Sequence, residues 1–190
     1  VIIPGIKRCP GVYPPSDDTY LLADAVEQRV SKGDSFLEVG CGSGYVSIVA
    51  ALLGANVDAV DMNPRAVECT LRNAELNGVR VNAWVSDLFS NVKGAYDWIV
   101  MNPPYLPADE RAPDTALDGG FSGAEISLRF IKDVGEHLAE GGRFLLLMSS
   151  ITAAEPLRLA RRLGYRLRTV ARKRFFMEEL FVVEGWKNAD

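Results

Sequence analysis

Ser35-Phe36-Leu37-Glu38-Val39-Gly40-Cys41-Gly42-Ser43-Gly44-Tyr45 is the stretch that decides the fold of this 190-residue chain. A short apolar run ends in three alternate glycines and passes directly into 45–53, a segment of helical period. Glycine lets the backbone turn sharply and lets a ligand approach where a Cβ would intrude. The spacing is G-x-G-x-G, not the G-x-G-x-x-G of dinucleotide folds, so a diphosphate is not the expected ligand. Moving outward, strand-like 57–60 precedes helical 65–76, and strands are expected over 79–85 and 96–101. A helix over 124–138, a strand over 143–149 and a helix over 153–163, stopped at Gly164, complete the alternation. This βαβα pattern predicts an α/β fold with a mainly parallel sheet and helices on both faces. The runs 165–171 and 179–185 are too close for a crossover helix and must form an antiparallel hairpin. The longest irregular stretch, 103–123, has the length of a functional loop.

An apolar share of 48% with 24% charged residues fits a globular chain and excludes a disordered one. The length suits one domain, with 1–34 as an N-terminal segment and helix (20–30) and 35–190 as the α/β core. The strongest apolar run, Phe144-Leu145-Leu146-Leu147-Met148, falls far short of the roughly 20 residues of a membrane span. The opening Val1-Ile2-Ile3-Pro4-Gly5 carries no secretory pattern. Cys9, Cys41 and Cys69 lie far apart in sequence and, with the single His137, lack the spacing of a zinc site. These features imply a reducing compartment, a cytoplasmic protein and no intrinsic metal. The net charge of −4 hides an asymmetry, because 156–174 holds eight basic and no acidic residues, leaving −12 on the rest.

Three successive strand ends carry ligand-type residues. Gly40 and Gly42 follow the first strand, with Glu38 just before them. Asp61 ends the second, where a carboxylate can accept both hydroxyls of a ribose. Asn63-Pro64 is itself a good helix start, so Asp61 is expected to be spared from capping. Ser86-Asp87-Leu88 ends the third, where a carboxylate can take an adenine amino group beside the ring-facing backbone. Ligands of open α/β sheets bind at these carboxyl ends. On these residues the chain, from 12 to 186, resembles the S-adenosylmethionine-dependent methyltransferases of the Rossmann-like class. The resemblance implies a mostly parallel seven-stranded sheet with a C-terminal antiparallel hairpin. It also implies S-adenosylmethionine as cofactor, with Glu38 near its cationic amino-acid end and the Gly40 backbone against it.

The fourth strand runs into Asn102-Pro103-Pro104-Tyr105. Two prolines fix the backbone and remove two donors, leaving a site rich in acceptors. The Asn102 side-chain oxygen and the Pro103 carbonyl can accept both N–H bonds of a planar NH₂ group, and Tyr105 can stack on it. No strong base is needed, and His137 in 132–137 is expected to be a solvated helix residue. Within the class this motif resembles enzymes that methylate protein glutamine amides or nucleic-acid base amino groups.

Val12-Tyr13-Pro14-Pro15-Ser16-Asp17-Asp18-Thr19-Tyr20-Leu21-Leu22 is similar to the opening segment of the short HemK-like release-factor glutamine methyltransferases of archaea and eukaryotes. Ala116-Leu117-Asp118-Gly119-Gly120 matches the same family. The likeness implies that Thr19 touches the cofactor, in addition to any capping of the first helix by Asp17 to Thr19. It implies the Gly-Gly-Gln glutamine of a class I release factor, methylated at N5, as substrate, and a small zinc-binding activator as heterodimer partner. The additional N-terminal helical domain of bacterial members is not expected in the 34 residues before the first strand. The competing reading is an RNA amino methyltransferase that holds phosphate with Arg158, Arg161, Arg162, Arg166, Arg168, Arg172, Lys173 and Arg174. A noncatalytic cofactor-binding assembly protein is the third, opposed by the intact Asn102 to Tyr105.

Overall fold

A computed structural model describes residues 2–104 and 123–187. The elements in chain order are α1 (Asp17–Glu27), β1 (Ser35–Val39), α2 (Tyr45–Leu52), β2 (Asn56–Asp61), α3 (Pro64–Leu76), β3 (Asn82–Val85) and β4 (Tyr96–Met101). They continue with α4 (Glu125–Asp133), β5 (Leu138–Ser149), α5 (Ala154–Arg162), β6 (Arg166–Arg174) and β7 (Glu179–Trp186). The sheet order is β3-β2-β1-β4-β5-β7-β6. The first five strands are parallel, and β7 runs antiparallel to both β5 and β6. The expected hairpin is present, folded back so that its second strand inserts between β5 and its first.

Strand alternation sorts the core into two layers. Phe36, Leu145, Leu147 and Val182 face α1 and α2 with Leu22, Val26 and Ile48. Leu37, Phe144, Leu146 and Val183 face α4 and α5 with Phe130, Ile131 and Ala160. Period-2 strands buried on both faces read as continuous apolar runs, which is why β1 and β5 were legible. The chain winds outward from β1 to β2 and β3, then returns to place β4 on the other side of β1. That reversal opens a crevice between the carboxyl ends of β1 and β4. It brings Gly40 beside Asn102 although they lie 62 positions apart in sequence.

Several sequence-based bounds shift. The first helix begins at Asp17, not at residue 20, with Ser16 as its N-cap. The strand expected over 79–85 shortens to Asn82–Val85, because the Val79 N–H bonds back to the Ala74 carbonyl and closes the end of α3. The helix expected over 124–138 stops at Asp133, followed by a 3-10 turn, Val134–Glu136. A side chain at Gly135 would collide with the Tyr165 hydroxyl, so the chain tightens where it passes that ring. His137 ends this turn and is not a solvated helix residue. Its ring stacks on Phe89, centroids 4.7 Å apart.

The cysteine reading is corrected. Cys9 and Cys69 form a disulfide across 60 positions of sequence, so their sequence separation says nothing about a reducing compartment. The bond belongs to a strap. The Gly5 N–H and carbonyl pair with the Asn77 amide, and those of Lys7 with the Asn73 amide. Two extended residues advance about 6.6 Å and four helical residues about 6.0 Å. Positions 5, 7 and 9 therefore keep step with 77, 73 and 69 along α3.

Candidate active site

The glycine turn after β1 is held by its neighbours. The Gly40 and Cys41 N–H groups both donate to the Val60 carbonyl, at 2.7 and 3.0 Å. Gly44 caps α2 at φ 81°, and a Cβ there would lie 2.9 Å from the Thr70 Cα, so only glycine fits. Gly40 (φ 77°) and Gly42 (φ 52°) differ, because a Cβ on either would meet nothing within 4 Å. Their open side is the cradle along which a ligand can lie against bare backbone.

Asp61 stands at the end of β2 facing this turn. Its Oδ2 accepts from the Gly42 N–H at 3.0 Å and its Oδ1 from the Asn63 N–H at 2.9 Å. Asn63 is the cap of α3, accepting from the Arg65 N–H. Asp61 is thus spared from capping but not idle, since it fastens the glycine turn and keeps the remaining lone pairs of its two oxygens. Burial raises its pKa against the lowering effect of these bonds.

Glu38 is buried in β1 and accepts from both the N–H and the hydroxyl of Ser47. Desolvation pushes its carboxyl up to about 8, opposed by the Ser47 bonds and helped by the charge of Asp61. Sequence reading missed Ser47, Thr70 and Asn73. Thr70 donates to the Gly42 carbonyl at 3.2 Å, and Asn73 to that of Ser43 at 2.9 Å. A lone polar residue in the apolar run Tyr45-Val46-Ser47-Ile48-Val49 was the available signal for Ser47.

At the end of β3, Leu88 has φ 47°, the one positive value outside glycine among the described residues. Such an outlier at a strand end marks a turn held by its surroundings; here Ser86 Oγ donates to the Leu88 carbonyl at 2.8 Å. Asp87 beside it is exposed and pairs with Arg129 at 2.8 Å. At the start of α1 Thr19 is buried, and its hydroxyl donates to Asp18 at 3.1 Å and accepts from the Ser16 N–H at 3.3 Å.

Asn102 follows β4, and its Oδ1 is buried with no donor among the described residues. Buried acceptors nearly always have partners, and an orphan asks for an explanation. Pro103 next to it is buried and Pro104 half-buried. Tyr105 and the stretch 116–120 lie outside the described residues. The sheet edge therefore gathers Glu38, Gly40, Gly42, Asp61, Leu88, Asn102 and Pro103 at neighbouring strand ends, with Asp87 drawn to Arg129, while Thr19 stands apart at the start of α1. A hollow of about 420 Å³ lies elsewhere, between α4 and α5, lined by Lys132, Glu155, Arg158 and Arg162 among others.

An open glycine cradle, a carboxylate at the second strand end and a reversal of strand order define a nucleoside-binding α/β fold of the methyltransferase type. Residues 9–177 match the family described as methyltransferase small domain, and the chain belongs to that family, whose methyl donor is S-adenosylmethionine. A Methanocaldococcus jannaschii chain provisionally named protein N5-glutamine methyltransferase is 39% identical over 189 residues, 96% of this chain and 95% of that one. Mouse methyltransferase HEMK2 is 38% identical over 151 residues, 72% of this chain and 71% of its own. Among solved structures, the E. cuniculi Mtq2–Trm112 complex, which methylates the termination factor eRF1, superposes with a TM-score of 0.78 at 26% identity. That match covers 94% of this chain and 99% of the other. Among the described residues no helix is long and apolar enough to cross a membrane.

Proposed function

We propose that this enzyme methylates N5 of the glutamine in the Gly-Gly-Gln loop of a class I peptide-chain release factor. The observation that carries this reading is the buried Asn102 Oδ1, an acceptor without a donor at the end of β4. Bound S-adenosylmethionine supplies an electrophilic methyl group. Gly40 and Gly42 offer it bare backbone, Asp61 its ribose-accepting oxygens, Glu38 and Thr19 the surroundings of its amino-acid end, and Asp87 with Leu88 the adenine edge. Asn102 and the Pro103 carbonyl accept both N–H bonds of the amide, holding its nitrogen in line and drawing the lone pair out of conjugation. Tyr105 stacks on the amide plane. The nitrogen sheds its proton after it has become cationic, so no strong base is required.

The names of the relatives support the amide substrate, and the Mtq2–Trm112 complex supports a heterodimer with a small partner subunit; that this partner is a zinc-binding activator is proposed from the family resemblance. A cytoplasmic place follows from a substrate that works in translation. The test supplies labelled S-adenosylmethionine with release factor and, separately, total RNA, each with and without the co-expressed small subunit. Label is expected in the factor and not in RNA; the reverse would overturn the amide reading. Asn102→Ala is expected to lower turnover about 10²-fold, the usual effect of losing a transition-state hydrogen-bonding group, with cofactor affinity by calorimetry largely kept. Wild-type turnover in that variant would remove Asn102 from the chemistry.

A further inference from the structure

The β6–β7 hairpin stands above the candidate site. Met101 is level with Leu146 and Val183, while the hairpin continues past Leu180 to Glu179 and Arg174. Four residues of strand raise it about 13 Å beyond Met101, and one intervening strand sets it roughly 10 Å to the side. Its base is fixed to the end of β5. The Ser150 N–H donates to the Glu179 carbonyl at 2.9 Å, and the Glu179 N–H to Ser150 Oγ at 3.0 Å. Lys173 pairs with Asp17 at the start of α1, two residues before Thr19, at 2.9 Å. The hairpin is thus a braced wall that rises at the same sheet edge as Asn102 and is tied to the start of α1.

The top of this wall is apolar. Phe176 is fully exposed, Met177 is 83% exposed and Phe175 is 42% exposed. Adjacent large apolar side chains presented together to water mark an interaction surface. Glu178 in the same turn keeps a buried Oε1 without a donor among the described residues. The three cations beneath stand among three carboxylates: Arg172 and Arg174 share Glu179, Lys173 pairs with Asp17, and Glu178 lies in the same turn. An apolar tip without surplus positive charge suits a folded polypeptide better than a phosphate backbone.

We propose that Phe176 and Met177 dock the body of the protein substrate while its glutamine loop reaches Asn102 and Pro103. This rests on the protein-glutamine reading above. A loop alone offers few contacts, and an apolar foothold above the crevice would orient it without touching the reacting nitrogen.

The test is the double variant Phe176→Ser, Met177→Ser, in complex with the small subunit, assayed on intact release factor with labelled cofactor. KM for the factor is expected to rise about tenfold, with kcat within twofold, cofactor affinity by calorimetry unchanged and melting temperature unchanged. An unchanged KM, or a kcat that falls as much as kcat/KM, overturns the docking role while leaving the glutamine reading intact. Loss of the co-purified small subunit assigns the tip to that partner and overturns it too. Wild-type enzyme that labels RNA and not the factor overturns both proposals.

Discussion

Glu38 and Asp61 are carboxylates on neighbouring parallel strands, and their environments differ in one respect. Asp61 receives two backbone N–H bonds, whereas Glu38 receives the N–H and hydroxyl of a single serine within the core. Burial outweighs the hydrogen bonds at both, and at Glu38 far enough that it keeps its proton to about 8 when folded and loses it near 4.5 when unfolded. Between those values the folded state binds the extra proton. Its stabilising contribution is full below 4.5 and is lost as pH rises through about 8. At about 1.4 kcal/mol per unit, the loss once pH exceeds 8 is on the order of 5 kcal/mol. Glu38→Gln, which keeps an acceptor but cannot ionise, should flatten this fall. Urea unfolding of both proteins from pH 5 to 9 checks it, and parallel stability curves would show that Glu38 ionises freely. The acidic type of residue 38 was legible from the glycine stretch that follows it. Its protonation was not, because that depends on Ser47 closing over it from α2.

Elements were legible where periodicity speaks and obscure where distant segments meet. The runs behind β1, β2, β4 and β7 are apolar with the right period, and the glycine turn pointed to the strand end proposed to hold the ligand. Nothing periodic announces that 5–11 runs as a strap along α3, because its partners Cys69, Asn73 and Asn77 are recognisable only once α3 places them on one face. The inserted position of β7 likewise depends on tertiary contacts. Buried Glu184 on β7 binds Arg29 in the turn after α1, Arg143 of β5 and Arg168 of β6, tying three strands and that turn at one point. Those three guanidiniums outweigh its desolvation and hold its carboxyl below the usual range. The strap yields its own prediction. Closing a loop of 60 positions removes unfolded-state entropy worth about 4 kcal/mol. For a chain of this size that corresponds to about 10 °C in melting temperature. Cys69→Ser, or reductant added to the wild type, should each produce a fall of this order, and reductant should not affect the variant further. Equal melting temperatures throughout would mean that the asparagine pairs hold the strap unaided.

At the scale of the whole molecule, eight cations in 156–174 against −12 elsewhere look like an RNA-binding face in sequence. Folding changes what they present. Arg168 goes to buried Glu184, Arg172 and Arg174 go to Glu179, and Lys173 goes to Asp17. The exposed pairs are individually weak, at about 0 to 1 kcal/mol, so phosphate could displace them. The displaced carboxylates would nevertheless stay beside the phosphate and repel it. That leaves Arg158, Arg161 and Arg162 on α5 and Arg166 at the start of β6 as cations with no acid bound among the described residues. Arg158 and Arg162 share their hollow with Glu155. With at most four phosphates neutralised, the slope of log K against log salt for a single-stranded RNA should be no steeper than about −3, whereas eight would give about −6. Fluorescence anisotropy of a labelled oligoribonucleotide across a salt series measures it. A slope near −6 would show that the acids release their partners and that the basic stretch acts as one surface; a shallow slope leaves the cations as braces of the hairpin wall.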